Sequence, residues 1–256
     1  MTTVFVRTSL KTPEQLQAGA KVETPEEFLE MPQEYRDLVI RQLSKHTEGE
    51  LSGADDYTQL FYPMAPTTYE KSVCCDRAKE ELDHFDRGAA VLKDIGVDLS
   101  YLVDVKLEDR KMYATEGVKE INTWIERGLF SFIGEDAVMH HLIEMRQSSY
   151  KPLGDMLESV IQDEKVHIAH GFRIIRDICK SDDGRAEVQE SLTRMWPATL
   201  DLFGTSTSKT SPLYLAWGLR QRSNEEARQR FIQQTKPKLM NLGLTTPDDN
   251  ASRKFA

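Results

Sequence analysis

Apolar residues recur every three or four positions along much of the chain, which is the spacing of one face of an α-helix. Four stretches with this pattern are long enough to form a helix bundle: residues 32–53, 68–95, 116–148 and 152–179. No segment shows the convincing alternation of a β-strand. The pattern therefore predicts an all-α protein.

Turn-forming residues predict where these helices end. Gly53 and the polar Ala54-Asp55-Asp56 sequence are expected to form a loop after the first helix, and Gly96 to stop the second. Asp182-Asp183-Gly184 is expected to end the fourth. Residues 1–30 are expected to form an irregular leader, with a helix-capping sequence near its end.

Glutamate precedes histidine by three residues at two places, Glu81-Leu82-Asp83-His84 and Glu164-Lys165-Val166-His167. On a helix this spacing puts both side chains on one face, where they form half of a transition-metal site. A glycine follows each histidine by four residues, Gly88 and Gly171, and would allow another part of the protein to approach the helix backbone.

Two further glutamates complete the pattern. Glu50 precedes Glu81 by 31 residues and Glu135 precedes Glu164 by 29 residues, so two helical hairpins of similar length each supply one Glu and one Glu-x-x-His. This is the layout of the carboxylate-bridged di-iron four-helix bundle. Four glutamates would neutralise two divalent ions in the core, and the oxygen and nitrogen donors favour iron or manganese.

This layout predicts one ferritin-like di-iron domain over residues 31–256. One long crossover joins the two hairpins, and extra C-terminal helices form an extension at about residues 185–242. Glu80 and Asp163, each four residues before a motif histidine, could orient the imidazoles across the bundle. His46, one turn before Glu50, is either a similar outer partner or a structural histidine.

Composition narrows the class of function. The chain has 39% hydrophobic residues and a net charge of −9, which argues against nucleic-acid and anionic-membrane partners. The first ten residues lack a signal pattern and no stretch is long and apolar enough to span a bilayer. A cytoplasmic protein with no membrane partner is expected.

Several short sequences between about Met31 and Asp249 lie outside the Glu-x-x-His motifs. They include Gly49-Glu50-Leu51-Ser52-Gly53, Ala65-Pro66-Thr67, Trp196-Pro197-Ala198 and Arg228-Gln229-Arg230-Phe231. Together with the motifs, they resemble the catalytic A subunits of the phenylacetyl-CoA epoxidases, which are bacterial di-iron monooxygenases with a ferritin-like fold. One departure is Glu135, where that family tends to have Asp.

The resemblance implies which residues bind metal and carry catalysis: Glu50, Glu81, His84, Glu135, Glu164 and His167. It implies two iron ions, with manganese as the alternative, that activate O2 for insertion of oxygen into an acyl-CoA, phenylacetyl-CoA-like substrate. Electrons would come from NAD(P)H through a flavin and iron–sulfur reductase, and a related metal-free helical subunit would be a partner in an oligomer. Arg77 is a candidate contact for the CoA, with an ordinary ion pair as the alternative.

Two other classes of function remain open. A ferritin-like metal-binding or oxidase protein without an organic substrate would self-assemble and would need no reductase. A metal-free structural subunit would keep the scaffold alone. The complete set of six ligands speaks against the second alternative.

Overall fold

The computed structural model describes residues 10–111 and 120–255, and these residues form an all-α fold. Within them there is no β-strand, and the β-contact present is an isolated bridge between Val22 and Tyr150. The helices in chain order are α1 (Pro13–Gln17), α2 (Pro25–Glu30), α3 (Gln33–Asp55), α4 (Tyr62–Met64), α5 (Thr68–Asp94), α6 (Trp124–Leu129), α7 (Glu135–Arg146), α8 (Lys151–Ile178), α9 (Asp182–Asp201), α10 (Ser211–Ala216) and α11 (Asn224–Met240).

Helices α3 and α5 form the first antiparallel hairpin of the bundle. Gly53 of α3 lies opposite Glu81 of α5, and Gly88 of α5 lies opposite Thr47 of α3. A Cβ atom on Gly88 would be only 2.3 Å from Oγ1 of Thr47, so this glycine lets the two helices approach closely. The expectation that something approaches the backbone at Gly88 is confirmed, and the neighbour is α3.

The second hairpin pairs α8 with α6 and α7. Gly128 of α6 lies against Ile174 of α8, and Gly154 of α8 lies against the carbonyl oxygen of Arg146 of α7. Gly171 repeats the role of Gly88, because a Cβ there would be 2.5 Å from the backbone nitrogen of Phe132, which lies between α6 and α7. Helices α5 and α8 also lie side by side. The ferritin-like four-helix bundle is therefore confirmed.

Helices α5 and α8 match the predicted ranges to within one residue, but the other two bundle helices differ. The loop predicted at Gly53 is wrong, because α3 runs to Asp55 and continues as a π-helical segment, Asp56–Phe61. Gly53 serves close packing against Glu81, and the buried Tyr57 and Phe61 keep the continuation in the core. A glycine in a helix interior marks a turn only when nothing packs on it.

The third bundle helix is shorter than predicted and is interrupted. It begins at Trp124 instead of residue 116, because Thr123 and Glu126 form a capping box at that point. Residues 116–119 lie outside the described part of the chain. A π-helical segment, Phe130–Gly134, then separates α6 from α7.

The segments outside the bundle also differ from the expectation in places. Asp182-Asp183-Gly184 starts α9 instead of ending α8, since the Ser181 hydroxyl accepts a hydrogen bond from the Gly184 amide and the acidic residues favour a helix N-terminus. The C-terminal extension packs on α6 and α7. Within the extension, Trp196 of α9 is stacked on Phe231 of α11, with 5.6 Å between ring centroids.

The segment ahead of the bundle is more regular than expected. It carries α1 and α2, and Val22 exchanges backbone hydrogen bonds with Ser149 and Lys151 at the turn between α7 and α8. Residues 1–9 lie outside the described part. Across the described ranges, no helix is both long enough and apolar enough to cross a membrane.

We expect Gly171→Ala to lower the free energy of unfolding by about 1–3 kcal/mol, because its Cβ would overlap the backbone atoms of Phe132 and Ser131. The matched control is Gly49→Ala, where a Cβ meets no described atom within 4 Å. The control should be neutral or stabilising by up to about 1 kcal/mol, since alanine favours helix. Urea unfolding of both variants checks this, and equal stabilities would contradict it.

Candidate metal centre

The four bundle helices bring all six residues of the predicted ligand set together in the core. Glu50 comes from α3, Glu135 from the start of α7, and one Glu-x-x-His pair from each of α5 and α8. None of the six residues is more than 7% exposed. Removing so many carboxylates from water is expensive unless a partner compensates each charge.

The first half of the cluster surrounds His84. Glu50, Glu81, His84 and Glu164 each offer one donor atom, and these atoms lie within 4.8 Å of one another. Nδ1 of His84 is 3.2 Å from Oε2 of Glu50, 3.9 Å from Oε2 of Glu81 and 3.8 Å from Oε1 of Glu164.

The second half surrounds His167. Glu135, Glu164 and His167 form another group of donor atoms within 4.8 Å. Nδ1 of His167 is 3.7 Å from Oε2 of Glu164 and 3.4 Å from Oε1 of Glu81. Glu81 and Glu164 therefore each turn one oxygen toward each histidine, which is the arrangement expected of carboxylates shared by two ions.

The outer nitrogen of each imidazole meets a carboxylate from the opposite helix. Nε2 of His167 lies 2.8 Å from Oε2 of Glu80, and Nε2 of His84 lies 3.2 Å from Oδ2 of Asp163. These are the cross-bundle contacts expected from the two acids that precede the motifs. Each contact leaves Nδ1 to face the cluster and raises the basicity of the ring.

The acids and imidazoles of the cluster strongly perturb each other. Burial and the charges of Glu164 and Glu50 raise the pKa of Glu81 well above its ordinary value, and burial raises the pKa of Glu164 to about 8. Burial alone would lower the pKa of both histidines. Hydrogen bonding and charge from Glu50 instead raise the pKa of His84 to about 9, and hydrogen bonds to Glu80 and Glu81 raise the pKa of His167 to about 11. Without a metal, the cluster thus holds several protons.

Two buried atoms at the second half support a metal ligand role. Oε2 of Glu135 and Nδ1 of His167 have no hydrogen-bond partner among the described residues. A metal ion can satisfy both atoms and replace the shared protons. Carboxylate oxygen with imidazole nitrogen suits iron or manganese, so the residues present fit the implied ions.

Arg77 and His46, which were considered from the sequence, lie at the edge of the cluster. Arg77 forms an ion pair with Glu80, the partner of His167, and its contact with CoA stays a prediction. Nδ1 of His46 is 3.0 Å from Oε1 of Glu50, so His46 is in contact with this candidate ligand. Burial opposes ionisation of Glu50, but His46 and His84 together hold its pKa well below the usual value.

Two residues that the sequence did not single out hold Glu135. The hydroxyl groups of Tyr57 and Ser131 donate to Oε1 of Glu135 at 3.2 and 3.1 Å. Ser131 lies four residues before Glu135, a spacing that could have been noticed. Tyr57 could not have been found in this way, because its position depends on the π-helical segment that follows α3.

The comparison with known proteins agrees with this geometry. The model of the family described as "Phenylacetic acid catabolic protein" matches residues 20–255. The chain belongs to this family. One relative is the A subunit of the 1,2-phenylacetyl-CoA epoxidase of Escherichia coli (strain K12), which is 24% identical over 221 residues, covering 85% of this chain and 71% of the relative.

The family match covers all six candidate ligands and the whole C-terminal extension. Membership in the phenylacetic acid catabolic family and the buried Glu/His cluster together support an oxidoreductase with a site that could hold metal. The name of the E. coli relative describes one subunit of an epoxidase, so that protein functions within a larger assembly.

Metal binding should release protons. His84 and His167, with pKa values of about 9 and 11, carry protons at pH 7.5 that a bound ion must displace, and Glu164 with a pKa of about 8 is largely protonated there as well. We expect a net release of about two or more protons per chain, and affinity that falls as the pH is lowered. Mn²⁺ titration calorimetry in buffers of different ionisation enthalpy measures this; an affinity independent of pH would contradict it.

Proposed function

We propose that this chain is the catalytic subunit of a multicomponent di-iron monooxygenase that inserts one oxygen atom from O2 into an acyl-CoA. An aromatic, phenylacetyl-CoA-like substrate is favoured by the family and by the name of the E. coli relative. The observation that carries the proposal is the pair of buried carboxylates, Glu81 and Glu164, that each face both histidines. A metal-free scaffold does not need this arrangement, and the family membership favours an acyl-CoA oxygenase over a ferritin-like oxidase.

Each residue of the cluster has a distinct role in the proposal. Glu50 and His84 would hold one iron, Glu135 and His167 would hold the other, and Glu81 and Glu164 would be shared. Bound iron would supply the oxygen-activating redox chemistry. The protein would fix the ligands and, since the six residues are buried, exclude bulk water. Glu80 and Asp163 would orient the imidazoles.

The proposal includes partners outside the chain. Electrons would come from NAD(P)H through a flavin and iron–sulfur reductase, because no residue type of the cluster supplies them. A related helical subunit would pair with this chain in a cytoplasmic oligomer. The subunit designation of the E. coli relative supports an assembly of this kind.

A group of cations near the junction of α3 and α10 suits the phosphates of an acyl-CoA better than Arg77, which is already paired. Desolvation and the charges of Arg220 and Arg41 lower the pKa of Lys45, so these three cations lie close enough to repel one another. Arg220 also donates a hydrogen bond to Oδ1 of Asn224 at 3.3 Å, and the charge of Glu144 acts on it. The guanidinium of Arg220 lies 4.4 Å over the ring of Tyr214. We propose this group as the phosphate contact.

Anaerobic loading with Fe²⁺ should give about two bound irons per chain. We expect Glu164→Ala to lose most of the iron at both positions, because Glu164 faces both histidines. The matched control is Glu158→Ala on the same helix, where the side chain is 65% exposed. Iron analysis after gel filtration checks this. A wild-type chain without stoichiometric iron would favour a metal-free structural subunit.

Oxygen consumption should depend on both a reductase and an acyl-CoA. With the iron-loaded chain, its helical partner protein and a reductase, we expect phenylacetyl-CoA to support consumption and to gain one oxygen atom, measured by mass spectrometry. Iron oxidation that needs neither reductase nor acyl-CoA would favour the ferritin-like alternative.

The same assay tests the phosphate contact. Arg220→Gln should raise KM for the acyl-CoA roughly tenfold with kcat nearly unchanged, because a charged contact to the non-reacting end is lost. Arg176→Gln is the control, since Arg176 is exposed and paired with Asp177 on the far end of α8. Equal KM values for both variants would exclude Arg220 from the CoA contact.

A further inference from the structure

Glu50 and Glu135, the two cluster glutamates outside the Glu-x-x-His motifs, are held by different kinds of side chain. Oε1 of Glu50 meets an imidazole, that of His46, at 3.0 Å. Oε1 of Glu135 instead accepts two hydroxyl hydrogen bonds, from Tyr57 and Ser131, and its Oε2 has no partner in the described part of the chain. The two halves, which look alike in the sequence, therefore differ at their outer edges.

Behind Tyr57 lies a fully buried cation. Arg127 of α6 has no exposed surface, and its Nη2 is 3.5 Å from the Tyr57 hydroxyl. The guanidinium lies 5.4, 5.7 and 5.2 Å from the ring centroids of Tyr57, Phe61 and Trp124. Such an aromatic cage stabilises a buried guanidinium by cation–π contact.

Arg127 forms no ion pair with a carboxylate of the described residues, although its charge also acts on Glu70. No carboxylate oxygen of the described residues lies within ion-pair distance, and Nε and Nη1 have no hydrogen-bond partner among those residues. Its positive charge therefore acts on the Tyr57 hydroxyl and, through it, on Glu135. The hydroxyl is polarised so that its proton points to the carboxylate, because the guanidinium can only donate.

Within the described part of the chain, the two arginines that reach the cluster through another side chain lie on the same half. Arg77 pairs with Glu80, which contacts His167, and Arg127 contacts Tyr57, which holds Glu135. On the other half, Asp163 contacts His84 and has no cationic Lys or Arg partner within the described ranges. A divalent ion beside Glu135 and His167 would thus be nearer to the guanidinium of Arg127, whose charge no ion pair of the described residues offsets, and this opposes its binding.

From these contacts we infer that Arg127 and Tyr57 are a positioning pair that fixes Glu135 for metal binding and makes the two metal positions unequal. Tyr57 and Ser131 hold Oε1, so that Oε2 stays free for the ion. The position formed by Glu135 and His167 is the weaker one, and it depends on Tyr57. The position formed by Glu50 and His84 does not. This inference rests on the proposed binding of two ions.

The test is a Mn²⁺ titration of the full-length metal-free chain, followed by electron paramagnetic resonance. Wild type should fill the Glu50 and His84 position first, giving a mononuclear signal that converts to a spin-coupled pair signal as the second ion binds. In Tyr57→Phe the second binding step should weaken by about ten- to a hundredfold, the usual effect of losing an outer hydrogen bond. The first step should be unchanged.

Three matched variants separate positioning from general destabilisation. Tyr62→Phe, in the next turn and 41% exposed, should behave as wild type. Ser131→Ala removes the other hydroxyl group that donates to Oε1 of Glu135, but it leaves the contact between Tyr57 and Arg127. It should therefore weaken the second binding step less than Tyr57→Phe does. His46→Gln should weaken the first binding step instead. Thermal unfolding of each metal-free variant shows whether the fold is retained.

The outcomes are distinguishable. If folded Tyr57→Phe binds both ions as wild type does, or loses both equally, the positioning role is wrong while the di-metal site stands. If wild type never gives a coupled pair signal, the proposed di-metal function itself fails. A weaker second step in Tyr57→Phe with an intact first step supports the inference.

Discussion

The burial of four glutamates in one bundle core is the constraint on which the rest of the structure depends. Each isolated carboxylate would cost several kcal/mol to remove from water, so the fold must supply compensation. Two imidazoles among the acids, and their raised pKa values, show that the metal-free cluster compensates with shared protons. Divalent ions can replace those protons. The cluster therefore favours metal binding, whereas it does not favour the folding stability of the metal-free chain.

The backbone around the cluster is adapted to the same constraint. Gly53, Gly88 and Gly171 remove side chains where helices must approach so that short Glu and His side chains can converge. Two π-helical segments, one after α3 and one before α7, shift the register of the helices beside Glu50 and Glu135. Such segments are costly irregularities that occur often at functional sites. Here the first of them directs Tyr57 to Glu135.

The environment of the cluster also gives it two unlike sides. Arg77 and Arg127 lie toward His167, whereas the outer acid of His84 has no such neutralising cation in the described part of the chain. The membership in the phenylacetic acid catabolic family gives a reaction context for such a site.

The sequence by itself determined the all-α class, the two long helices α5 and α8, and the two Glu-x-x-His pairs, because i, i+3 spacing on a helix fixes which side chains share a face. Glu50 and Glu135 followed from the similar hairpin lengths and from the layout of di-iron bundles. It also indicated the crossed contacts of Glu80 and Asp163. It did not determine the ends of α3 or the start of the third bundle helix, where packing on Gly53 and capping by Thr123 decide. The roles of Tyr57 and Arg127 were decided by the tertiary structure alone, because a π-helical register and contacts between distant helices leave no periodic signal in a chain.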